Sequence, residues 1–359
     1  MYWMHDGRAR MLSAMQRLLL GLVLVSLFGC SSSHVASGDG GRPPLADAAE
    51  SPVASCGPEG FALRGEGCFC SGPVALYGEV LYRQAIGVEV YDLSEPADPR
   101  LVTTVEERAG SEGGLALSDG HLVSVANFAP LHVYSVADPL VPVWVGSLEL
   151  LASARGIAID GSLAIVAMDQ TDGSALALVD LDNPSAPRLE GEILLDDIFV
   201  QGPVRASRGS AWAMGRDRSE SSSGRPVLIE LELASREVTI RALEDGSRPL
   251  SSFDVEEGIA VTVGFEQPLR IYAIEPDTLR ELGSLTLGPE LPSATSVELR
   301  GGRALVSGSG FAIIDLHDPA RPRVLGTSPA GGGAWVVSTD THAYVSSGSG
   351  LMPFALGCE

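Results

Sequence analysis

Few side chains in this sequence are spaced for chemistry. The six histidines, at 5, 34, 121, 132, 317 and 342, form no His-x-x-x-His pair of the kind that puts two ring nitrogens on one metal. His121 and His342 open equivalent β-rich runs and His317 sits in a proline turn, so turn roles are expected of them. Asp169-Gln170-Thr171-Asp172-Gly173 starts like a calcium loop but has neither further alternating acids nor a distal glutamate. No Gly-x-Ser-x-Gly elbow is present. Ser307-Gly308-Ser309-Gly310 and Ser347-Gly348-Ser349-Gly350 occupy equivalent places and read as hairpin turns in which Gly supplies positive φ. Asp92, Asp180 and Asp315 recur at one position of a repeat. Carboxylates that hydrolyse must converge in one cleft, so acids spaced one per repeat unit are expected to cap turns instead. The basic residues are all arginine, which excludes a Schiff-base lysine and a phosphate-loop lysine. No residue is assigned to catalysis, a cofactor or a metal.

The five cysteines carry the remaining chemistry. Cys30 closes an apolar run, Leu18–Phe28 with Gly29, that follows Arg8, Arg10 and Arg17. The run has the length of a signal-peptide core and is short for a membrane span. Leu27-Phe28-Gly29-Cys30-Ser31 resembles the lipobox of bacterial lipoproteins. That resemblance implies cleavage before Cys30, acylation of Cys30, and, with Ser31 next, outer-membrane sorting. Residues 1–29 would then be the signal, starting at Met1 or at Met11.

Composition fits an exported, lipid-held chain. The formal charge is −22, which argues against nucleic acid, because phosphate binding needs clustered cations. Removing residues 1–29 takes away three Arg and one Asp and leaves the chain more acidic still. Anionic headgroups repel such a domain, so the membrane is expected to hold it by the lipid alone. Residues 30–55 are rich in Ser, Gly, Ala and Pro and read as the lipidated Cys with a flexible tether reaching about 25–30 Å.

From residue 73 to residue 359 the chain repeats. A β-rich run ending in an acidic or polar residue plus an aliphatic recurs as Val88–Leu93, Leu131–Val136, Leu176–Leu181, Pro226–Leu231, Leu269–Ile274, Phe311–Leu316 and Leu351–Leu356. Seven copies at intervals of 40–50 residues predict an all-β, seven-bladed β-propeller of four-stranded antiparallel blades. Leading runs such as Leu115–Ser118, Ile157–Asp160 and Trp335–Ser338 are the expected innermost strands. The turns SEPADPR (94–100), ADPLVP (137–142), DNPSAPR (182–188) and HDPARPR (317–323) combine a capping acid with two prolines. These residues resemble the LVIVD-repeat family of bacterial propellers, whose repeats carry an aliphatic strand, Asp and a Pro-x-x-Pro turn. Copies four and five depart from that turn. The family implies an export-side propeller and brings no catalytic residue.

Copy seven has three strand-like runs before the sequence ends. The missing outer strand is expected from residues 56–72, at Gly60–Arg64, which would close the last blade. Cys56, Cys68, Cys70 and Cys358 read as disulfides in an exported chain. A Cys68–Cys70 bridge would be strained, and both other pairings tie Cys358 to the N-terminal segment. Cys70 directly precedes the first blade, which favours Cys56–Cys68 with Cys70–Cys358. Copy four has the longest hairpin loop, with Arg216, Arg218 and Arg225 in an otherwise acidic chain, a candidate partner contact. The expected function is an envelope-anchored, monomeric scaffold that binds an envelope protein or a small ligand. A hydrolase or lyase at the channel mouth is the alternative, resting on fold analogy.

Overall fold

The structure is a computed structural model and describes residues 72–357 apart from 86, 106–112, 171–172, 220–223, 244–249, 290, 292, 331 and 349. The signal segment, Cys30, the tether, the expected closing strand at Gly60–Arg64, and Cys56, Cys68, Cys70 and Cys358 lie outside the described residues.

Among the described residues twenty-seven strands form seven antiparallel sheets, each from consecutive strands. Blade 1 holds β1 (Val74–Tyr77), β2 (Val80–Gln84), β3 (Val88–Asp92) and β4 (Arg100–Val105). Blade 2 holds β5 (Gly113–Ser118), β6 (His121–Ala126), β7 (Leu131–Ser135) and β8 (Val143–Leu148). Blade 3 holds β9 (Ser153–Asp160), β10 (Leu163–Gln170), β11 (Gly173–Asp180) and β12 (Arg188–Asp196). Blade 4 holds β13 (Ile198–Ser207), β14 (Ser210–Asp217), β15 (Arg225–Glu232) and β16 (Val238–Ala242). Blade 5 holds β17 (Leu250–Glu256), β18 (Ile259–Gly264), β19 (Leu269–Ile274) and β20 (Leu279–Leu285). Blade 6 holds β21 (Ala294–Arg300), β22 (Arg303–Gly308), β23 (Phe311–Asp315) and β24 (Arg323–Ser328). Blade 7 holds β25 (Trp335–Ser338), β26 (His342–Ser347) and β27 (Gly350–Ala355).

The ring closes on its inside. Each blade's first strand packs on the first strand of the next, and β25 packs on β1. The buried apolar side chains fall into seven clusters, one between each pair of adjacent blades. At the closing seam Leu81, Tyr91 and Leu93 of blade 1 meet Tyr344 and Leu351 of blade 7. Val, Ile, Leu and Ala suit this packing because a sheet buried on both faces has no room for polar alternation. Fourth strands are the exposed edge, as the burial of β4 and β12 shows.

Neighbouring blades also join through the turn after the third strand. Tyr82 Oη donates to Pro139 O at 2.8 Å, from blade 1 to the turn of blade 2. Arg241 Nε donates to Glu275 O at 2.9 Å and Arg241 Nη2 to Pro276 O at 2.7 Å, from blade 4 to blade 5. Gly146 lies so close to Pro184 O that a Cβ there would stand 2.3 Å from it, and Gly283 meets Pro319 O the same way at 2.4 Å. Side chain or bare backbone, one blade seats on the next blade's turn carbonyls.

The expected turn chemistry is present. Asp92 Oδ1 accepts from Ser94 N at 2.8 Å, Asp180 Oδ1 from Asp182 N at 2.8 Å and Asp315 Oδ1 from His317 N at 3.1 Å. The second oxygen of Asp180 takes Arg188, and that of Asp315 takes Arg323 at 2.7 Å. The expected glycine role holds only in part. Gly350 has a φ of 132°, whereas Gly308 has ordinary φ and is needed because a Cβ would lie 1.8 Å from Ser293 O.

Candidate functional site

Antiparallel blades put the first and third connections of every blade on one face of the ring, and the second and fourth on the other. The first carries the acidic proline turns; the second is the loop face.

On the loop face a groove of about 730 Å3 opens between blades 2 and 3. Phe128, in the β6–β7 connection, is 90% exposed, Leu151, before β9, is 96% exposed, and Leu194 of β12 is 60% exposed. Phe128 holds a left-handed backbone, with φ at 56°, a conformation uncommon for an aromatic residue. Beneath them Arg155 of β9 pairs with Asp169 Oδ2 of β10. Asp169 Oδ1 is buried with no hydrogen-bond partner among the described residues. Ser153 Oγ, at the start of β9, donates to Asn127 Oδ1 of the β6–β7 connection at 2.6 Å and ties blade 3 to blade 2 beside the groove. The site therefore combines an apolar rim with an acceptor at its base.

The loop of copy four lies on the same face. Arg216 is only 8% exposed, and its Nη2 donates to Gly224 O at 3.2 Å inside the hairpin. Arg218 is exposed, with its guanidinium 4.6 Å from the Phe199 ring centroid. Arg225 is exposed at the start of β15. Of the three arginines, two are presented to solvent and Arg216 is a structural element of the hairpin.

The second site is the central channel, about 410 Å3, lined by first strands of all seven blades. Aligning those strands by their turns places Arg205, Asp254 and Glu298 at one shared position, opposite Trp212, Val261 and Leu305 of the second strands. The same position holds Ala75, Ala116, Ala158 and Val337 in the other blades. Three charged side chains thus stand side by side in blades 4, 5 and 6. The repeat pattern of the sequence does not reveal them, because in copies four to six the position carries no recurring residue type. Comparing the third residue before each first turn would have found them.

Asp254 is fully engaged. Its Oδ1 accepts from Arg205 Nε at 3.2 Å and from its neighbour Val255 N at 2.9 Å, and its Oδ2 accepts from Leu299 N of blade 6 at 2.7 Å. Glu298 Oε1 accepts from Ser338 Oγ of blade 7 at 3.0 Å. Glu298 Oε2 is buried and has no partner among the described residues. Burial pushes the Glu298 carboxyl up to about 7; the Ser338 hydrogen bond opposes this and the Asp254 charge adds to it. Among the described residues no group of three or more His, Cys, Asp or Glu could hold a metal ion. No helix among them is long and apolar enough to cross a membrane.

Residues 152–194, almost the whole of blade 3, match the family model of the LVIVD repeat. No curated protein matches the chain. The crystal structure of the computationally designed Ika8 protein is similar in fold, with a TM-score of 0.54 at 10% sequence identity over 81% of this chain and 98% of that one.

Proposed function

We propose that this seven-bladed propeller is a binding scaffold that captures a protein partner on its loop face. The observation that supports it is the pairing of Phe128 and Leu151, almost fully exposed, at the rim of the groove between blades 2 and 3. Large apolar side chains presented together on a surface mark association sites, and an apolar anchor entering a water-excluding pocket carries most of the energy of such contacts. Asp169 Oδ1 at the floor gives the partner a place for a donor.

The lipobox-like Leu27–Ser31 and the tether after it support an anchored protein of the bacterial envelope, with the lipid on Cys30 at the outer membrane. There the rigid ring would present its loops to a neighbouring envelope protein, and Arg218 and Arg225 would extend the contact on the same face.

The test is photo-crosslinking in cells from probes at Phe128 and Leu151, with a probe at Glu190 of β12 as control; amine-reactive reagents lack lysine targets here. One envelope protein recovered from both groove probes and not from Glu190 supports the reading. Recovery that is equal from all three positions, or none from the groove, ends it.

A further inference from the structure

The central channel is separate from the loop-face groove and is lined by different residues. We propose that the channel is a binding site for a small organic ammonium ion, held by Glu298.

Four features carry this. The channel wall is continuous through all seven blades, with a volume of about 410 Å3, enough for a small ligand. Its charged side chains are Arg205 against Asp254, Glu256 and Glu298, an acidic balance that favours a cation. Arg205 is already paired with Asp254 at 3.2 Å, so the remaining charge is negative. Glu298 Oε2 is buried without a partner among the described residues, and a buried acceptor without a donor is costly, so the site is built to gain from a ligand N–H. The far wall, in blades 1 to 3, is apolar, with Val74, Leu115 and Ile157. A cation with an apolar body and an N–H donor satisfies both walls. A bare divalent ion fits less well, since the two carboxylate oxygens of Asp254 are already used and hard cations need six or more oxygen ligands.

The experiment is isothermal titration of the full-length protein with phenethylammonium at pH 8 and low salt, with phenethyl alcohol as the neutral match. Saturable one-to-one binding of the ammonium ion, at least tenfold weaker in Glu298→Gln and absent for the alcohol, is the expected result. Equal binding of ammonium ion and alcohol to the wild type overturns the proposal without any variant. No saturation by millimolar phenethylammonium, or equal affinity in a folded Glu298→Gln protein, overturns it too. Calcium binding that displaces the ammonium ion would make this a metal site and also sink it. Because no groove residue is changed, a negative result leaves the loop-face reading standing.

Discussion

Arg205 of blade 4 and Asp254 of blade 5 occupy the same strand position in neighbouring blades and meet at 3.2 Å in the channel wall. Asp254 also accepts from Leu299 N of blade 6. One carboxylate thereby joins three consecutive blades on the inside of the ring. The neighbouring Glu298 repeats the step from blade 6 to blade 7 through Ser338, and its other oxygen has no partner among the described residues.

Asp254→Ala should lower stability by about 2–4 kcal/mol, because it leaves the Arg205 charge and the Leu299 N–H without their partner. Urea unfolding at pH 7 measures it. A loss no larger than that of an exposed-site control such as Asp277→Ala would show that the pair does not hold the blades.

Glu298 makes a pH-dependent contribution of the opposite sign to a salt bridge. Its folded value of about 7 lies above the ordinary value of 4.5. The unfolded chain therefore ionises first, and stability is lost as pH rises from about 4.5 to about 7. Glu298→Gln removes that loss. The variant should match the wild type at pH 4 and exceed it at pH 8 by about 3 kcal/mol. Arg205, Asp254 and Ser338, the groups facing Glu298, stay as they are. A difference that does not change between the two pH values refutes the account.

Gly146→Ala should destabilise the joint between blades 2 and 3, since its Cβ would lie 2.3 Å from Pro184 O. Overpacking of this kind costs about 1–3 kcal/mol. Gly191, in the fourth strand of blade 3, has open space around an added Cβ. Gly191→Ala should leave the melting temperature almost unchanged, and similar melting of both variants would dismiss the packing argument.

The Asp315 carboxyl is held well below the usual carboxylate range by His317 N, the His317 ring and Arg323. A depressed carboxylate contributes stability above its unfolded value and loses it as the pH falls through the folded one. Asp315→Asn should melt lower than the wild type by a steady interval well above the ordinary carboxylate value, and the interval should shrink once the pH falls below that value. Thermal scans at neutral and strongly acidic pH decide it, and an interval equally wide at both would count against the turn pairing.

Among the described residues β27 has no fourth strand beside it. Gly72, just before β1, has a carbonyl that accepts from Ser346 Oγ of blade 7 at 3.0 Å, so the chain entering blade 1 already touches blade 7. A strand from residues 56–72 locked by Cys358 would fit that edge. Cys358→Ser should lower the melting temperature by several degrees, a long closed loop contributing about 4–5 kcal/mol. Reductant should lower the wild type at least to that point and shift the variant, which keeps only the Cys56–Cys68 bridge of the favoured pairing, by less. Reductant with no effect on the wild type would exclude the bridge.

The sequence alone determined the blades. A blade is a run of hairpins between neighbours in the chain, so the strand–turn alternation, the capping of turns by Asp92, Asp180 and Asp315, and the seven-fold spacing are all local. Lys-free composition likewise excluded a Schiff-base lysine and a phosphate-loop lysine from residue types only. Which side chains converge was decided by the ring. Arg205, Asp254 and Glu298 are more than 40 residues apart in turn and become neighbours only because β13, β17 and β21 are laid side by side around one axis. Arg216 went the other way: read as a loop cation, it is folded into its own hairpin, because pairing of β14 with β15 carries it to Pro226 and gives its guanidinium a carbonyl, Gly224 O, to bind. The groove rim at Phe128 and Leu151 belongs to two connections that meet only when blade 3 packs on blade 2. Local pattern sets what each segment is; which segments face each other depends on closing the circle.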